Sequence, residues 1–243
     1  MEYPPTSRSD ETGSMIRLIE GAEQAFLEGR RQKQADVESA VGIFLEFLRG
    51  FELLNVPAPC VSVFGSARIA SDHPHYDMAR RLGGELARSG FSVMTGGGGG
   101  LMEAANRGAR EAGGCSVGCS ISLPEEETQN AYLDAHVHFE HFFVRKVMLV
   151  KYSCAFVVLP GGFGTVDEAF EIATLIHTGK LTRFPIVAMG VEFWEPLRNM
   201  LYETMVPSGL IDASDLDIVK LTDDPAEAID WIRGGIQPSA HRP

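Results

Sequence analysis

The chain has 243 residues, 44% of them hydrophobic and 22% charged, with a formal net charge of −12. This length suits one α/β domain with a sizeable core and is short for two. The composition excludes a wholly disordered chain, and the acidic balance argues against long nucleic acid as a partner, because that needs a basic face. A small anionic ligand stays open, since local backbone N–H groups hold phosphate whatever the global charge. Cys60, Cys115, Cys119 and Cys154 each lie in or beside an apolar run and read as buried thiols of a reducing compartment. The acidic N-terminus carries no signal pattern, and no apolar run reaches the length of a membrane span, so the expectation is a cytoplasmic protein with no membrane partner.

In chain order, residues 1–14 read as a tail and residues 15–57 as an N-terminal helical extension. Its two helices are predicted at 15–29 and 36–54; in the second, Val37, Val41, Phe44, Leu45 and Leu48 keep helical spacing. After the breaker NVPAP, strands are predicted at 60–64, 91–94, 116–120, 136–139, 154–159, 185–189 and 217–220. Helices fall between them at 76–89, 101–111, 142–152, 166–178 and 193–206, with a last one at 225–233. The polar stretch LPEEETQN, 123–130, reads as a loop. CAFVVL, 154–159, is apolar without alternation, as a strand buried on both faces reads. The predicted fold of 58–233 is therefore α/β, a doubly wound parallel sheet of Rossmann-like type, followed by a tail at 234–243.

Three strand-to-helix turns carry glycine: Gly65-Ser66, the run Gly96 to Gly100, and Gly161-Gly162-x-Gly164. Glycine lets a ligand approach the backbone closely, and a helix N-terminus adds free N–H groups and a partial positive charge. One such turn also serves tight packing of helix on strand; three on one sheet edge favour a site. No GxxxxGK[ST] is present. TGGGGGLMEA resembles the dinucleotide fingerprint, but the next strand ends without the ribose-binding acid, which counts against NAD.

Thr165 precedes Glu168 by three positions, the spacing of a capping box with Thr165 at N-cap and Glu168 at N3. The other reading turns Glu168 toward a bound phosphosugar, ionised by the helix dipole and suited to stabilising a cation or activating water. The predicted helix at 142–152 supplies Arg145 and Lys146; cations near a helix start hint at a ligand or an acidic partner. His136, His138 and His141 cluster, but no carboxylate stands at ligand spacing, so no metal and no cofactor are assigned.

Arg145-Lys146 followed by Pro160-Gly161-Gly162-x-Gly164-Thr165-x-x-Glu168 resembles the signature of the LONELY GUY (LOG) family. The segments SVFGSAR, TGGGGGLMEAANRGA and FFVRKVMLVKYS resemble bacterial members, and the likeness spans about residues 58 to 233. The resemblance implies hydrolysis of the N-glycosidic bond of nucleoside 5′-monophosphates, either cytokinin riboside monophosphates or AMP, to free base and ribose 5-phosphate. It implies Arg145 and Glu168 as the catalytic pair, Gly161, Gly162, Gly164 and Thr165 as the phosphate loop, and Lys146 as a substrate contact. Gly65, Ser66, Gly97, Gly98, Gly99 and Glu103 would lie along the same cleft. The glycine run TGGGGG departs from the common bacterial form, which has proline within it, and leaves that turn's contacts open. Family membership also implies a homo-oligomer. A non-hydrolytic nucleotide or cofactor carrier of the same fold is the rival reading.

Overall fold

The computed structural model describes residues 22–27, 33–57, 59–121, 129–182 and 184–236. The tail expected at 1–14, the ends of the first helix, most of the loop at 123–130 and the residues beyond 236 lie outside the described residues. Two N-terminal helices, α1 (Ala22–Leu27) and α2 (Lys33–Leu53), precede an alternating unit. That unit runs β1 (Cys60–Phe64), α3 (Pro74–Arg88), β2 (Ser92–Thr95), α4 (Gly100–Glu111), β3 (Ser116–Ile121), β4 (Ala135–Phe139) and α5 (Phe142–Lys151). It continues through β5 (Ala155–Val158), α6 (Phe163–His177), β6 (Ile186–Met189), α7 (Val191–Met200), β7 (Val219–Thr222) and α8 (Pro225–Gly235).

All seven strands pair in parallel, in the order β4-β3-β2-β1-β5-β6-β7. The chain winds outward from β1 to β4, returns to β5 on the other side of β1, and winds outward again. The reversal between β1 and β5 opens a crevice at their carboxyl ends, where ligands bind in sheets of this kind. Side chains alternate between two cores. Val61, Val63, Val93, Ala155 and Val157 face α3, α4 and α8, while Phe64, Met94, Phe156 and Val158 face α5, α6 and α7. Both faces of the central strands are covered, which is why β5 and β6 read as continuous apolar runs.

The helices α3 and α4 approach backbone to backbone. A Cβ on Gly83 would stand 2.1 Å from the Ala105 carbonyl oxygen, and one on Gly108 would stand 1.9 Å from that of Arg80. The extension is fastened to the domain by α2, where a Cβ on Gly50 would meet the Met148 side chain at 2.7 Å.

Several element boundaries shift by one to three residues from the sequence reading, and two regions near the C-terminus differ in kind. The helix predicted at 193–206 ends at Met200 and gives way to a π turn, Leu201–Met205. The last strand lies two residues later than predicted, because 213–218 forms a 3-10 helix that takes Asp217 out of it.

Candidate active site

The three glycine turns interlock. Ser66 N–H donates to the Pro160 carbonyl at 3.0 Å, and Leu101 N–H donates to the Ser66 carbonyl at 2.9 Å. The first turn thus ties the starts of α4 and α6 together. Not every glycine faces the crevice. A Cβ on Gly65 would meet Leu101 at 2.9 Å and Leu159 at 3.1 Å, so this glycine serves packing. Gly97, at φ +77°, lies against Gly118 and His136 on the sheet, and Gly161 lies against Thr165 and the Ser66 amide. Gly162 and Gly164 border open space, and Gly99 has only the Ala67 carbonyl near. These three leave room for a ligand beside the backbone.

Thr165 does not cap its helix. The N-cap is Gly162, in extended conformation and without a side-chain cap bond, and α6 starts at Phe163. Thr165 therefore occupies N3 and Glu168 falls in the second turn, beyond capping reach. The capping-box reading is corrected: PGGFG enters the helix directly, and its first-turn N–H groups carry no side-chain cap. Those groups and the dipole make an anion-binding end.

Glu168 is 1% exposed and accepts a hydrogen bond at Oε1 from Arg145 Nη2 at 3.1 Å. Arg145 Nε and Glu168 Oε2 are also buried, yet neither has a hydrogen-bond partner among the described residues. Buried polar atoms are ordinarily paired, so an orphan on each member of one ion pair marks a place built for a further group. The Arg145 guanidinium stacks over Phe142 at 5.1 Å, and its Nη1 lies 3.8 Å from where a Cβ on Gly96 would stand. The glycine run after β2, the helix α5 and the start of α6 therefore converge on one place.

Lys146 Nζ reaches Asp167 Oδ2 and Glu171 Oε2 at 2.7 Å each. The acidic partner hinted at by the two cations is thus α6 itself, with Asp167, Glu168 and Glu171 opposite Arg145 and Lys146. Burial works against the Lys146 charge, but the bonds to Asp167 and Glu171 outweigh it and leave its pKa raised.

Burial pushes the Glu168 pKa up to about 7, against the pull of Arg145 and Lys146 and with help from Glu171 and Asp167. The expectation that the helix dipole holds this carboxylate ionised is corrected accordingly. Desolvation of a fully enclosed carboxyl exceeds what a dipole supplies in the second turn.

Several residues escaped the sequence reading. Asn130 donates to the carbonyls of Gly97 at 3.1 Å and Gly98 at 2.9 Å and to Asn106 Oδ1 at 3.0 Å. Asn106 in turn accepts from Thr95 and donates to Ser116, and all four side chains are buried. This network fixes the glycine run from below. Glu103 accepts a hydrogen bond from the Tyr76 hydroxyl at 2.7 Å, which holds it toward α3. His136 and His138 share the Ser120 hydroxyl at 2.8 and 2.9 Å; burial, then His138, lowers the His136 pKa.

His141 belongs elsewhere, at the start of α5. Glu46 of α2 accepts from the Glu140 amide at 2.6 Å, the His141 amide at 3.2 Å and His141 Nδ1 at 2.6 Å. Glu23 of α1 accepts from the Phe142 amide at 3.2 Å. Two carboxylates from the extension thus satisfy the N-terminus of the helix that carries Arg145.

Comparison with known proteins gives the chain its relatives. The chain is 28% identical over 173 residues to the cytokinin riboside 5′-monophosphate phosphoribohydrolase of Rhodococcoides fascians, covering 69% of this chain and 86% of that protein. It is 28% identical over 172 residues to the enzyme of the same name from Mycobacterium marinum, covering 70% and 90%. Among solved structures it resembles the molybdenum cofactor carrier protein of Chlamydomonas reinhardtii, with 26% identity, a TM-score of 0.51, and coverage of 73% of this chain and 98% of that one. A family model described as "Possible lysine decarboxylase" matches residues 102–232, just over half of the sequence, and the chain belongs to that family, the LOG family of the two phosphoribohydrolases.

Proposed function

We propose that this protein hydrolyses the N-glycosidic bond of nucleoside 5′-monophosphates, either cytokinin riboside monophosphates or AMP, to free base and ribose 5-phosphate. The observation that carries the reading is the buried Arg145–Glu168 pair, with its unpartnered Nε and Oε2, beside the uncapped start of α6. The phosphate would rest on the N–H groups of that first turn, next to Gly162 and Gly164, and this anchors C1′ of the ribose over Glu168.

As the C1′–N bond lengthens, its electron pair leaves with the base and positive charge grows on the ribose ring. The Glu168 carboxylate stabilises that charge and takes a proton from the attacking water, whose oxygen forms the new bond to C1′; the released ring nitrogen takes up a proton from solvent, and Glu168 returns its own to solvent. Arg145 holds Glu168 in place and lends its free donor to the substrate side, where it eases departure of the base. A carboxyl with a pKa of about 7 serves well as a base at neutral pH.

Decarboxylation of lysine receives no support from Lys146, which two carboxylates hold as the ammonium ion and which is therefore a poor Schiff-base nucleophile. The four free cysteines fit a reducing, cytoplasmic setting.

The experiment is incubation of the protein with AMP and with isopentenyladenosine monophosphate, followed by chromatography for free base. Release of adenine or isopentenyladenine that Glu168→Gln abolishes is the expected result. The likeness to the Chlamydomonas protein, named as a cofactor carrier, favours a second reading, a non-hydrolytic carrier. Tight nucleotide binding with no base released would decide for it.

A further inference from the structure

The helix α2 carries two apolar stripes; its own domain covers one and reaches the other at its Phe51 end, where Lys151 Nζ stands 5.5 Å over the ring. Ile43, Phe47 and Leu54 pack on the sheet domain, and Gly50 on the same face touches Met148. The other stripe, Val37, Val41, Phe44, Leu48 and Phe51, repeats at alternating steps of four and three residues. At 100° per residue it lies about 110° round the helix from the first. With Leu45 beside it, these side chains are 44–60% exposed. A four-three repeat over five positions is the seam of a helix pair. A helix facing only solvent on that side has no use for it.

The stripe is complementary to itself. Antiparallel pairing about a two-fold axis between positions 42 and 43 sets Val37 against Leu48 and Val41 against Phe44 of the second helix. Antiparallel pairing also brings like flanks together. Glu38 and Arg49 are both exposed, both on one flank, and nearly equidistant from the axis. Each Glu38 then meets the other copy's Arg49, twice in one interface. In a parallel pair these two residues stand at different heights on the same flank and do not meet. The six apolar side chains offer on the order of 600 Å² per helix, approaching the roughly 800 Å² per partner of a standard interface before the charged flank is counted.

We propose that α2 is a homotypic docking helix: the stripe Val37, Val41, Phe44, Leu48 and Phe51 pairs antiparallel with the same stripe of a second copy of this chain. The helix lies ahead of the matched family residues 102–232, so the interface belongs to the extension. Glu46 on the same helix holds the start of α5, so the dimer seam and the Arg145 helix share one rigid support. The proposal is independent of the reaction assigned to the site.

The test is the mass of the full chain in solution by light scattering and sedimentation, at micromolar concentration. Phe44→Glu replaces a side chain that is 60% exposed, so the fold tolerates it, and the mass of the assembly should halve. Glu38→Arg and Arg49→Glu should each weaken dimerisation about tenfold, each turning two attractive contacts repulsive. The double swap should restore it, which a merely hydrophobic association would not do. Three outcomes overturn the proposal. One is a wild-type monomer, which returns the stripe to another occupant, such as a foreign amphipathic helix. Another is a mass that Phe44→Glu leaves unchanged. The third is a double swap no better than the single ones.

Discussion

Glu168 meets three influences of different size. Enclosure favours its neutral form, Arg145 and then Lys146 favour the anion, and Glu171 and Asp167 oppose them, with the balance at about 7. If the ionised form assists the attacking water, activity follows the fraction ionised. That fraction is roughly a tenth at pH 6, a half at pH 7 and nine-tenths at pH 8. The kcat/KM for AMP should therefore rise with pH through a midpoint near 7, and a flat profile across that range would remove Glu168 from the role of base. Lys146→Gln deletes the smaller of the two cationic influences, so the same limb should move to higher pH. Arg145→Ala deletes the larger one together with the substrate contact, and should lower kcat/KM by at least about a hundredfold. A pH titration of the wild type and both variants against AMP separates the effects.

At the scale of the element, the helix start at Phe163 was hidden by a coincidence of spacing. Thr165 and Glu168 stand three apart, as a capping box does, but the glycines before them already enter the helix. Apolar runs such as CAFVVL made the central strands legible, because a doubly covered strand is mostly apolar, whereas the edge strands AHVHF and VKLT carry no such run. The partners of α5 were not legible. Glu46 and His141 stand 95 positions apart, and no local pattern links a carboxylate on one amphipathic helix to the amides of another. Glu46→Ala should leave three donors at the start of α5 short of an acceptor and cost about 1–3 kcal/mol. It should also lower kcat, because α5 carries Arg145, whereas a residue serving stability alone would lower only the melting temperature. Asn130→Ala acts on the other wall. It removes the side-chain donor from the carbonyls of Gly97 and Gly98, although Gly97 keeps the backbone N–H of residue 130, and should raise KM for AMP more than it lowers kcat, since a loosened glycine run positions substrate less well. Steady-state kinetics on both variants checks the two expectations.

On the scale of the whole molecule, the enclosure that tunes Glu168 is also a term in folding. Its folded pKa of about 7 lies above the ordinary carboxylate value of about 4.3 that it has in the unfolded chain. The folded state therefore binds this proton more tightly than the unfolded state does. The resulting stability is fully present below about pH 4.3 and is lost as pH rises through 7, amounting to at most about 4 kcal/mol from this one group. Other carboxylates work in the opposite direction. Glu111, for example, is held below its usual range by hydrogen bonds from Arg80 and then Arg107, so the measured curve of the wild type is a sum. The difference between wild type and Glu168→Gln isolates the one group. The amide keeps an acceptor for Arg145 Nη2 and cannot ionise. Against Glu168→Gln, the wild type should therefore lose stability steadily between pH 5 and pH 8, by up to about 3 kcal/mol in denaturant melts at each pH. Parallel curves for the two proteins would mean that the carboxyl is solvated in the free enzyme. In that case the base called for at neutral pH would have to arise from closure of the site around substrate.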